Sequence, residues 1–241
     1  MIPAVKAAFD QARTVALLTH VSADGDAFGS TLALMHVLRA RGKQVVFYCN
    51  DTPADMYAFL PGIHEIVPLP DQLAEFDLVV ALDAADLNRL SACAAVLKQG
   101  RTTVCIDHHG TNPGYAQYNW INPDACATCE VLYDLLAELK YPVDAASALC
   151  LFCGISTDTN HFSYNSVSAH TFEVASRLRG TLDLNEMTRV LYRSRSLGKT
   201  RLIGRMLSEM QLYFDGKVAL LTCEHSICQQ LGADQSDYEG H

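Results

Sequence analysis

The 241-residue sequence lacks the features of several large protein classes. Apolar runs such as Leu78 to Leu82 are far shorter than the roughly 20 residues that a membrane-spanning helix needs. The N-terminus has no basic segment followed by an apolar one, the layout of a secretory signal, so we expect a cytoplasmic protein with no membrane partner. A formal net charge of −9 disfavours broad electrostatic binding to nucleic acid, so we expect no long duplex as a partner.

Sequence motifs of several common mechanisms are also absent. There is no GxxxxGK[ST] phosphate-binding loop, and Gly25 and Gly29 do not have the spacing of a GxGxxG nucleotide-binding loop. No GxSxG motif presents a serine nucleophile, and no other side chain stands out as a covalent nucleophile. Water activated by a metal ion is the catalytic chemistry that these absences leave.

Cysteine is plentiful, with nine residues, yet the spacing is irregular and most lie in apolar segments. We therefore expect buried, reduced thiols rather than a disulfide framework. Cys126 and Cys129 form a single CxxC pair, which without a second pair is weak support for a zinc site.

Four apolar segments predict buried parallel strands, because polar residues and then a helical pattern follow them. These segments are Thr14 to Thr19, Val45 to Cys49, Phe76 to Leu82 and Thr102 to Ile106. Helical patterns cover Ala27 to Arg41, Thr128 to Lys140, Ala145 to Thr157 and Ser168 to Arg179. Alternating strands and helices predict an α/β fold with a parallel, doubly wound sheet.

The C-terminal part has a different pattern. We expect Leu184 to Leu212 to be mainly helical, Lys217 to Cys223 to be a strand, Glu224 to Leu231 to be a short helix, and Gly232 to His241 to be irregular. One strand and one helix cannot bury a core of their own. The predicted organisation is a main domain over 1–185, a helical linker over 186–208 and the start of a second, smaller α/β domain over 209–241.

Acidic and imidazole side chains follow three of the predicted strands. In an open parallel sheet, ligands bind beyond the carboxyl ends of the strands. Seven residues of this kind would repel or desolvate one another unless a cation lay between them, and mixed carboxylate and imidazole ligands suit manganese, iron or zinc. They are His20, Asp24, Asp26, Asp83, Asp107, His108 and His109, and Asp158 is a further candidate at the end of a predicted helix.

Six of the 18 basic residues lie between Arg189 and Arg205, with no acidic residue among them. Two interpretations stay open, a solvated helix face and a stretch that contacts phosphate groups. On the second interpretation, Arg193 and Arg195 are candidate substrate-binding residues.

Four motifs in this order resemble the DHH phosphoesterase family, named for the triplet found here as Asp107-His108-His109. They are HxxxDGDxxGS from His20, the aspartate that ends ALD at Asp83, the DHH triplet, and GIxTDT from Gly154. Together they are specific, and the resemblance runs from about Val15 to Gly240. The resemblance implies a hydrolase that acts on phosphate esters and uses two divalent ions, which we expect to be Mn²⁺.

The resemblance also implies roles for individual residues. His20 and Asp24 would hold one ion, Asp26, His108 and Asp158 would hold the other, and Asp83 would bridge the two. Asp107 would orient an imidazole, and His109 would contact the substrate phosphate. The catalytic set is therefore Asp83, Asp107, His108 and His109. This sequence departs from the family pattern at Ala23, where proline is usual, and at Asn160, where glycine is usual. We expect the turn at Asn160 to be kept, because asparagine tolerates positive φ.

Within the family, the layout is most similar to the nano-RNases that also dephosphorylate 3′-phosphoadenosine 5′-phosphate (pAp). This resemblance implies an exoribonuclease, or oligoribonuclease, with short RNA or a small nucleotide as its partner. The GGGH motif of that group's second domain, DHHA1, does not occur here, so we expect an incomplete second domain. Two alternatives stay open, a cyclic dinucleotide phosphodiesterase and a catalytically weak metal- or nucleotide-binding protein. The oligomeric state is open, with a homodimer as one candidate.

Overall fold

The computed structural model describes residues 2–49, 51–180 and 182–233. Residues 234–241, which make up most of the irregular segment predicted after Gly232, lie outside the described residues. The chain divides into two compact units, Met1–Leu184 and Asn185–His241. No helix in the described part of the chain is long and apolar enough to cross a membrane.

A five-stranded parallel sheet forms the centre of the first unit. Its strands lie in the order β2-β1-β3-β4-β5. They are β1 (Thr14–Leu18), β2 (Gln44–Tyr48), β3 (Phe76–Leu82), β4 (Gly100–Asp107) and β5 (Tyr118–Ile121). The four predicted strands are confirmed. β5 was not predicted from the sequence; it is an edge strand whose four residues are all partly exposed.

Six helices accompany the sheet. They are α1 (Ile2–Gln11), α2 (Gly25–Ala40), α3 (Ala94–Leu97), α4 (Thr128–Leu139), α5 (Ala145–Asp158) and α6 (Ala169–Arg179). The four predicted helices are confirmed, with α2 beginning two residues earlier than expected. Asp24, Asp144 and Ser168 cap α2, α5 and α6, because each side chain accepts a backbone N–H from the first turn.

Apolar side chains cover both faces of the sheet. On one face, Leu18, Val79 and Ala81 form a buried cluster with Cys93 and Val96, from the segment that contains α3. Strand residues alternate between faces, so Leu17 and Val80 point to the opposite side, where α2, α4 and α5 pack together. Helical cover on both faces confirms the predicted doubly wound α/β fold.

Helices α2 and α5 approach each other closely because glycines lie at their contact. A Cβ atom added to Gly29 would lie 2.5 Å from the backbone oxygen of Cys150. One added to Gly154 would lie 2.8 Å from Oδ1 of Asp26. Both positions therefore exclude a larger side chain, and the contact brings the start of α2 close to α5.

The second unit contains short elements. They are α7 (Leu184–Thr188, whose first residue still belongs to the first unit), a π-helical turn (Arg189–Arg193), α8 (Leu197–Ser208), the antiparallel pair β6 (Gln211–Tyr213) and β7 (Val218–Leu220), and α9 (His225–Gln230). Leu184 to Leu212 is mainly helical, as predicted, but the helices end at Ser208, because Gln211 and Leu212 pair with Leu220 and Ala219 in a strand. Three exposed residues give too little alternation for a strand to be recognised in the sequence. The domain boundaries given above stay a prediction.

Candidate metal centre

The centre lies where the strand order changes direction, between β1 and β3. Loops that follow these two strands diverge there and leave a crevice beyond their carboxyl ends. His20 lies two residues after β1, and Asp83 directly follows β3. Nε2 of His20 lies 3.4 Å from Oδ2 of Asp83. The fold therefore brings together two residues that are 63 positions apart in the sequence.

Asp83 is the most central residue of the group. It is 3% exposed and has a φ of 56°, in the left-handed region that aspartate tolerates better than most residues. Its Oδ1 accepts a hydrogen bond of 2.9 Å from the hydroxyl of Thr128. Burial acts to raise the pKa of Asp83, but the hydrogen bond from His20 and the charges of His20 and His108 outweigh it and lower the pKa. Asp83 is thus held as a buried carboxylate.

His20 and Asp24 lie on the other side of Asp83 from β4. Nε2 of His20 lies 4.0 Å from Oδ1 of Asp24. Its Nδ1 lies 2.8 Å from the carbonyl oxygen of Val21, which fixes the ring so that Nε2 faces the two carboxylates. Burial acts to lower the pKa of His20, but the hydrogen bonds with Asp83 and Val21 and the charges of Asp83 and Asp24 together outweigh it and raise the pKa.

Asp26 is almost fully buried, at 1% exposure, in the first turn of α2. Its two oxygens accept backbone hydrogen bonds from Thr128 (2.6 Å) and Cys129 (2.9 Å), the first residues of α4. Burial raises the pKa of Asp26 well above its ordinary value, and the charges of Asp83 and Asp158 raise it further.

Asp158 ends α5 and faces His108, which follows β4. Nε2 of His108 lies 3.5 Å from Oδ2 of Asp158 and 3.7 Å from Oδ1 of Asp83. Burial and the charges of Asp83 and Asp24 raise the pKa of Asp158 to about 6, against the opposing charge of His108. The expected turn is kept, with Asn160 at a φ of 44°.

Asp107 orients the two histidines that follow it by accepting hydrogen bonds from both. It is fully buried, and its Oδ1 accepts hydrogen bonds from the backbone N–H of His108 (2.9 Å) and from Nδ1 of His109 (2.8 Å). Its Oδ2 accepts a hydrogen bond of 2.7 Å from Asn112. The hydrogen bond with Asp107 raises the pKa of His109. His109, with a side chain 40% exposed, presents its Nε2 away from Asp107.

Three groups of side chains could each hold a cation, because their ligand atoms lie within 4.8 Å of one another. The groups are His20, Asp24 and Asp83; Asp26, His108 and Asp158; and Asp83, His108 and His109. The structure therefore brings together all eight candidate residues of the first unit, with Asp107 as a support. None of the three groups contains a cysteine.

Two predicted substrate-binding residues, Arg193 and Arg195, belong to the second unit. Arg193 ends the π-helical turn and Arg195 lies just before α8, both exposed and in the second unit. Their proposed contact with substrate stays a prediction. In the same stretch, Arg189 pairs with Glu186 (2.6 Å) and Arg205 with Glu209 (2.6 Å).

Cysteines contribute buried apolar volume. All nine are free thiols and eight are buried, as expected, with Cys223 exposed. Sγ of Cys126 donates to Glu130 at 2.9 Å, and Sγ of Cys129 lies 3.7 Å from the backbone oxygen of Asp26. Burial raises the pKa of both thiols, so the CxxC pair is held protonated beneath the centre.

Three residues that shape the centre were not predicted from the sequence. Thr128 contacts Asp83 and Asp26, Asn112 contacts Asp107, and Arg89 approaches Nδ1 of His20 to 2.9 Å. None carries a distinctive signal in a single sequence. Asn112 and Arg89 lie within six residues of a strand-end aspartate, and that position is the feature that could have identified them.

Comparison with known proteins gives consistent matches. A family model described as "DHH family, N-terminal domain" matches residues 14–155. A Thermus thermophilus protein named "Bifunctional oligoribonuclease and PAP phosphatase NrnA" is 33% identical over 228 residues, which cover 93% of this chain and 67% of that protein. A Bacillus subtilis protein of the same name is 25% identical over 211 residues, or 86% of this chain and 66% of that protein. The chain spans about two thirds of the length of these two relatives.

A solved structure extends the match to the fold. The crystal structure of an exopolyphosphatase-related protein from Bacteroides fragilis superposes with a TM-score of 0.93 at 27% sequence identity. The alignment covers 99% of this chain and 74% of that one. Both units of the present chain therefore have counterparts of the same fold in that protein.

Proposed function

This chain belongs to the DHH family, and on that premise we propose that it is a metal-dependent phosphoesterase that hydrolyses short oligoribonucleotides and pAp. The names of the relatives from *T. thermophilus* and *B. subtilis* support the substrate class. The geometry of the centre supports the reaction type. The single observation that carries the proposal is the position of Asp83, whose Oδ2 faces His20 while its Oδ1 faces His108.

The donor set fits divalent cations. Burial and mutual repulsion raise the pKa of Asp26 and Asp158, so the carboxylates are short of positive charge in the protein alone. Cations placed between them would relieve this repulsion. Mixed carboxylate and imidazole ligands suit manganese better than magnesium, which prefers oxygen ligands and retains much of its water.

We assign the ligands in two groups that share one residue. His20 and Asp24 would hold the first ion, and Asp26, His108 and Asp158 would hold the second, with Asp83 common to both. Backbone N–H groups at the start of α4 orient Asp26, and the Thr128 hydroxyl orients Asp83. Such supporting hydrogen bonds fix a ligand's direction and tune its basicity.

When bound, two divalent ions would supply Lewis-acid activation of water and neutralise charge on the phosphoryl oxygens. The protein's own residues bind and orient the substrate. His109, oriented by Asp107 and with its pKa raised, would in its imidazolium form donate from Nε2 to a phosphate oxygen. Arg193 and Arg195 are proposed to contact further phosphate groups of the substrate.

The assignment of 1–185 to a DHH domain, 186–208 to a linker and 209–241 to part of a DHHA1-like domain belongs to the same proposal. So do the cytoplasmic location and a homodimer. Size-exclusion chromatography with light scattering would test the oligomeric state.

One experiment tests the reaction, the substrate class and the metal together. The purified chain is stripped with a chelator, reloaded with Mn²⁺ or Mg²⁺, and assayed on pAp, the dinucleotide pApA, a cyclic dinucleotide and a nitrophenyl phosphate ester. We expect hydrolysis of pAp and pApA, higher activity with Mn²⁺, and about two bound ions per chain by elemental analysis. Faster turnover of the cyclic dinucleotide would favour the cyclic phosphodiesterase instead. Metal binding without turnover of any substrate would favour a binding protein.

The Asp83→Asn variant tests the shared ligand. The amide is uncharged and a poorer ligand, so we expect loss of hydrolysis, by at least about a thousandfold, and loss of one or both ions. Asp71→Asn is the matched control, because Asp71 is exposed and lies outside the three ligand groups. Full activity of Asp83→Asn would exclude a shared ligand at this position.

A further inference from the structure

A guanidinium group lies against the centre on the side of the first proposed ion. Nη2 of Arg89 lies 2.9 Å from Nδ1 of His20. The loop after β3 holds Arg89 there, because its backbone oxygen accepts from the N–H of Val21 at 2.8 Å and its own N–H donates to Asp86 at 3.1 Å. The first of these bonds joins the loop after β3 to the residue that follows His20, and the second lies within that loop.

The surroundings of the centre are otherwise negative. Five carboxylates converge there, and two divalent ions would neutralise four of them, before a substrate phosphate adds charge of its own. Within the described residues of the first unit, no lysine or arginine other than Arg89 contacts a residue of the centre. Arg101, for comparison, lies at the other end of the strands, near the amino end of β4. Its Nη1 is 3.5 Å from Oδ1 of Asp77, near the amino end of β3.

The contact between Arg89 and His20 is incompatible with an ion on Nε2. Nδ1 of His20 also lies 2.8 Å from the carbonyl oxygen of Val21, and it can either donate to that oxygen or accept from Arg89. An ion held by Nε2 requires the hydrogen on Nδ1, which then donates to Val21 as metal-bound histidines usually do to a backbone oxygen. Arg89 would then lose Nδ1 of His20 as an acceptor. Its guanidinium, on an exposed residue, would have N–H donors available for another acceptor.

We infer that Arg89 forms a phosphate-binding position of the first unit, which becomes available when His20 takes up an ion. The inference rests on the proposed function, because it deepens the description of the same site. The planar guanidinium offers two parallel N–H donors that match two phosphate oxygens. Arg89 contacts His20, which follows β1, and His109 follows β4; β1 and β4 are the two neighbours of β3, the strand that Asp83 follows. We therefore place the phosphate group between the side of Arg89 and the side of His109.

The experiment measures binding rather than turnover. Calorimetry with the Mn²⁺-loaded protein compares adenosine monophosphate, which carries a phosphate, with adenosine, which does not. Arg89→Ala should weaken monophosphate binding by about tenfold or more and leave adenosine binding unchanged. Arg89→Lys keeps the positive charge but not the two parallel N–H donors of the guanidinium, so it should lose less affinity for the monophosphate than Arg89→Ala. Arg101→Ala, the matched control, should bind both compounds as the wild type does.

A second measurement separates substrate binding from a purely structural role. Titration of the metal-free protein with Mn²⁺ should show that Arg89→Ala binds the ion at least as tightly as the wild type, because the variant removes a competing donor to Nδ1. Weaker ion binding in Arg89→Ala, with a lowered melting temperature, would make Arg89 a structural support and overturn the inference.

The outcomes also distinguish this inference from the proposed function. Equal monophosphate binding by Arg89→Ala and the wild type, or no binding by either, overturns the inference even if pAp is hydrolysed. Arg89-dependent monophosphate binding by a wild-type protein that hydrolyses neither pAp nor pApA upholds the phosphate site and rejects the proposed activity.

Discussion

Nδ1 of His109 lies 2.8 Å from Oδ1 of Asp107, a carboxylate that is itself fully buried. Asn112 and the backbone of His108 donate to the same carboxylate, so Asp107 is fixed from three directions. The hydrogen on Nδ1 of His109 is therefore directed inward, and Nε2 is the nitrogen available to a ligand. This relationship separates His109 from the other histidines of the centre, which direct Nε2 towards Asp83.

His109→Ala should reduce kcat by about a hundredfold while the protein keeps its metal content. The side chain is 40% exposed and we assign it to the substrate rather than to an ion. Steady-state kinetics on pAp and elemental analysis of the same sample measure both quantities. His170→Ala, a histidine paired with Asp134 away from the centre, is the control. Loss of metal from His109→Ala would show that His109 is a ligand, as its membership of the group with Asp83 and His108 allows.

Much of the first unit could be predicted because its central strands are buried on both faces and form continuous apolar runs. β5 could not, because an edge strand such as Tyr118–Ile121 mixes polar and apolar residues and is partly exposed. α3, with four residues, is too short to show helical periodicity. In the second unit, the pairing of β6 with β7 depends on a turn through Phe214, Asp215 and Gly216, all at positive φ.

The residues of the centre differ in how they could be predicted. His20, Asp83 and His108 follow strands, and the topology of a parallel sheet places such residues at one edge. Asp158 ends a helix, so its position depends on the close packing of α2 on α5, which no local pattern reveals. Thr128 acts through a hydroxyl and a backbone N–H, and those groups are too common in any sequence to stand out.

Thr128→Val should weaken Mn²⁺ binding by about tenfold and lower stability by about 1–3 kcal/mol. Valine preserves the shape but removes the donor to Oδ1 of Asp83, leaving a buried carboxylate oxygen with one fewer partner. Thr128→Ser keeps the hydroxyl and should retain most of the affinity. Calorimetric titration and urea unfolding of the metal-free proteins measure the two effects. If serine and valine variants behave alike, the hydroxyl does not support Asp83.

The ion pair of His170 and Asp134 should make stability depend on pH. Nε2 of His170 lies 2.9 Å from Oδ2 of Asp134, and this hydrogen bond raises the pKa of His170, with the charges of Glu130 and Glu173 acting in the same direction. A raised pKa means that the stabilisation is complete below the ordinary value of 6.5 and is lost as pH rises through the raised value. Both side chains are more than a third exposed, so the effect should not exceed about 1 kcal/mol.

His170→Gln isolates this charge, because glutamine keeps a neutral N–H donor at every pH. Urea unfolding of the two proteins should give the wild type a larger free energy of unfolding than His170→Gln at pH 5.5. At pH 8.5 this difference between the two proteins should be largely gone. Performing both in chelator keeps ion binding at the centre from contributing. A difference that does not change with pH would mean that the pair has no protonation-dependent role.

Gly154 should be essential to the centre although it contributes no ligand. A Cβ atom there would lie 2.8 Å from Oδ1 and 3.0 Å from Cα of Asp26, and it would also collide with Sγ of Cys129. Gly154→Ala should therefore force Asp26 away from α5, lowering stability by about 1–3 kcal/mol and weakening Mn²⁺ binding. Gly204→Ala is the control. Among the described residues, no atom outside its chain neighbours and the adjacent helix backbone lies within 4 Å of a Cβ added at Gly204 in α8, so that change should raise stability by up to about 1 kcal/mol.

A double variant separates the two collisions at Gly154. Cys129→Ala removes Sγ, and in Cys129→Ala/Gly154→Ala the contact with Asp26 is the collision that remains. Thermal unfolding should then show that part of the stability lost by Gly154→Ala is recovered, relative to Cys129→Ala alone. The Mn²⁺ affinity should stay low, because Asp26 is still displaced from the position at which it faces His108 and Asp158. Full recovery of Mn²⁺ affinity in the double variant would show that Gly154 protects the packing of Cys129 and not the direction of Asp26.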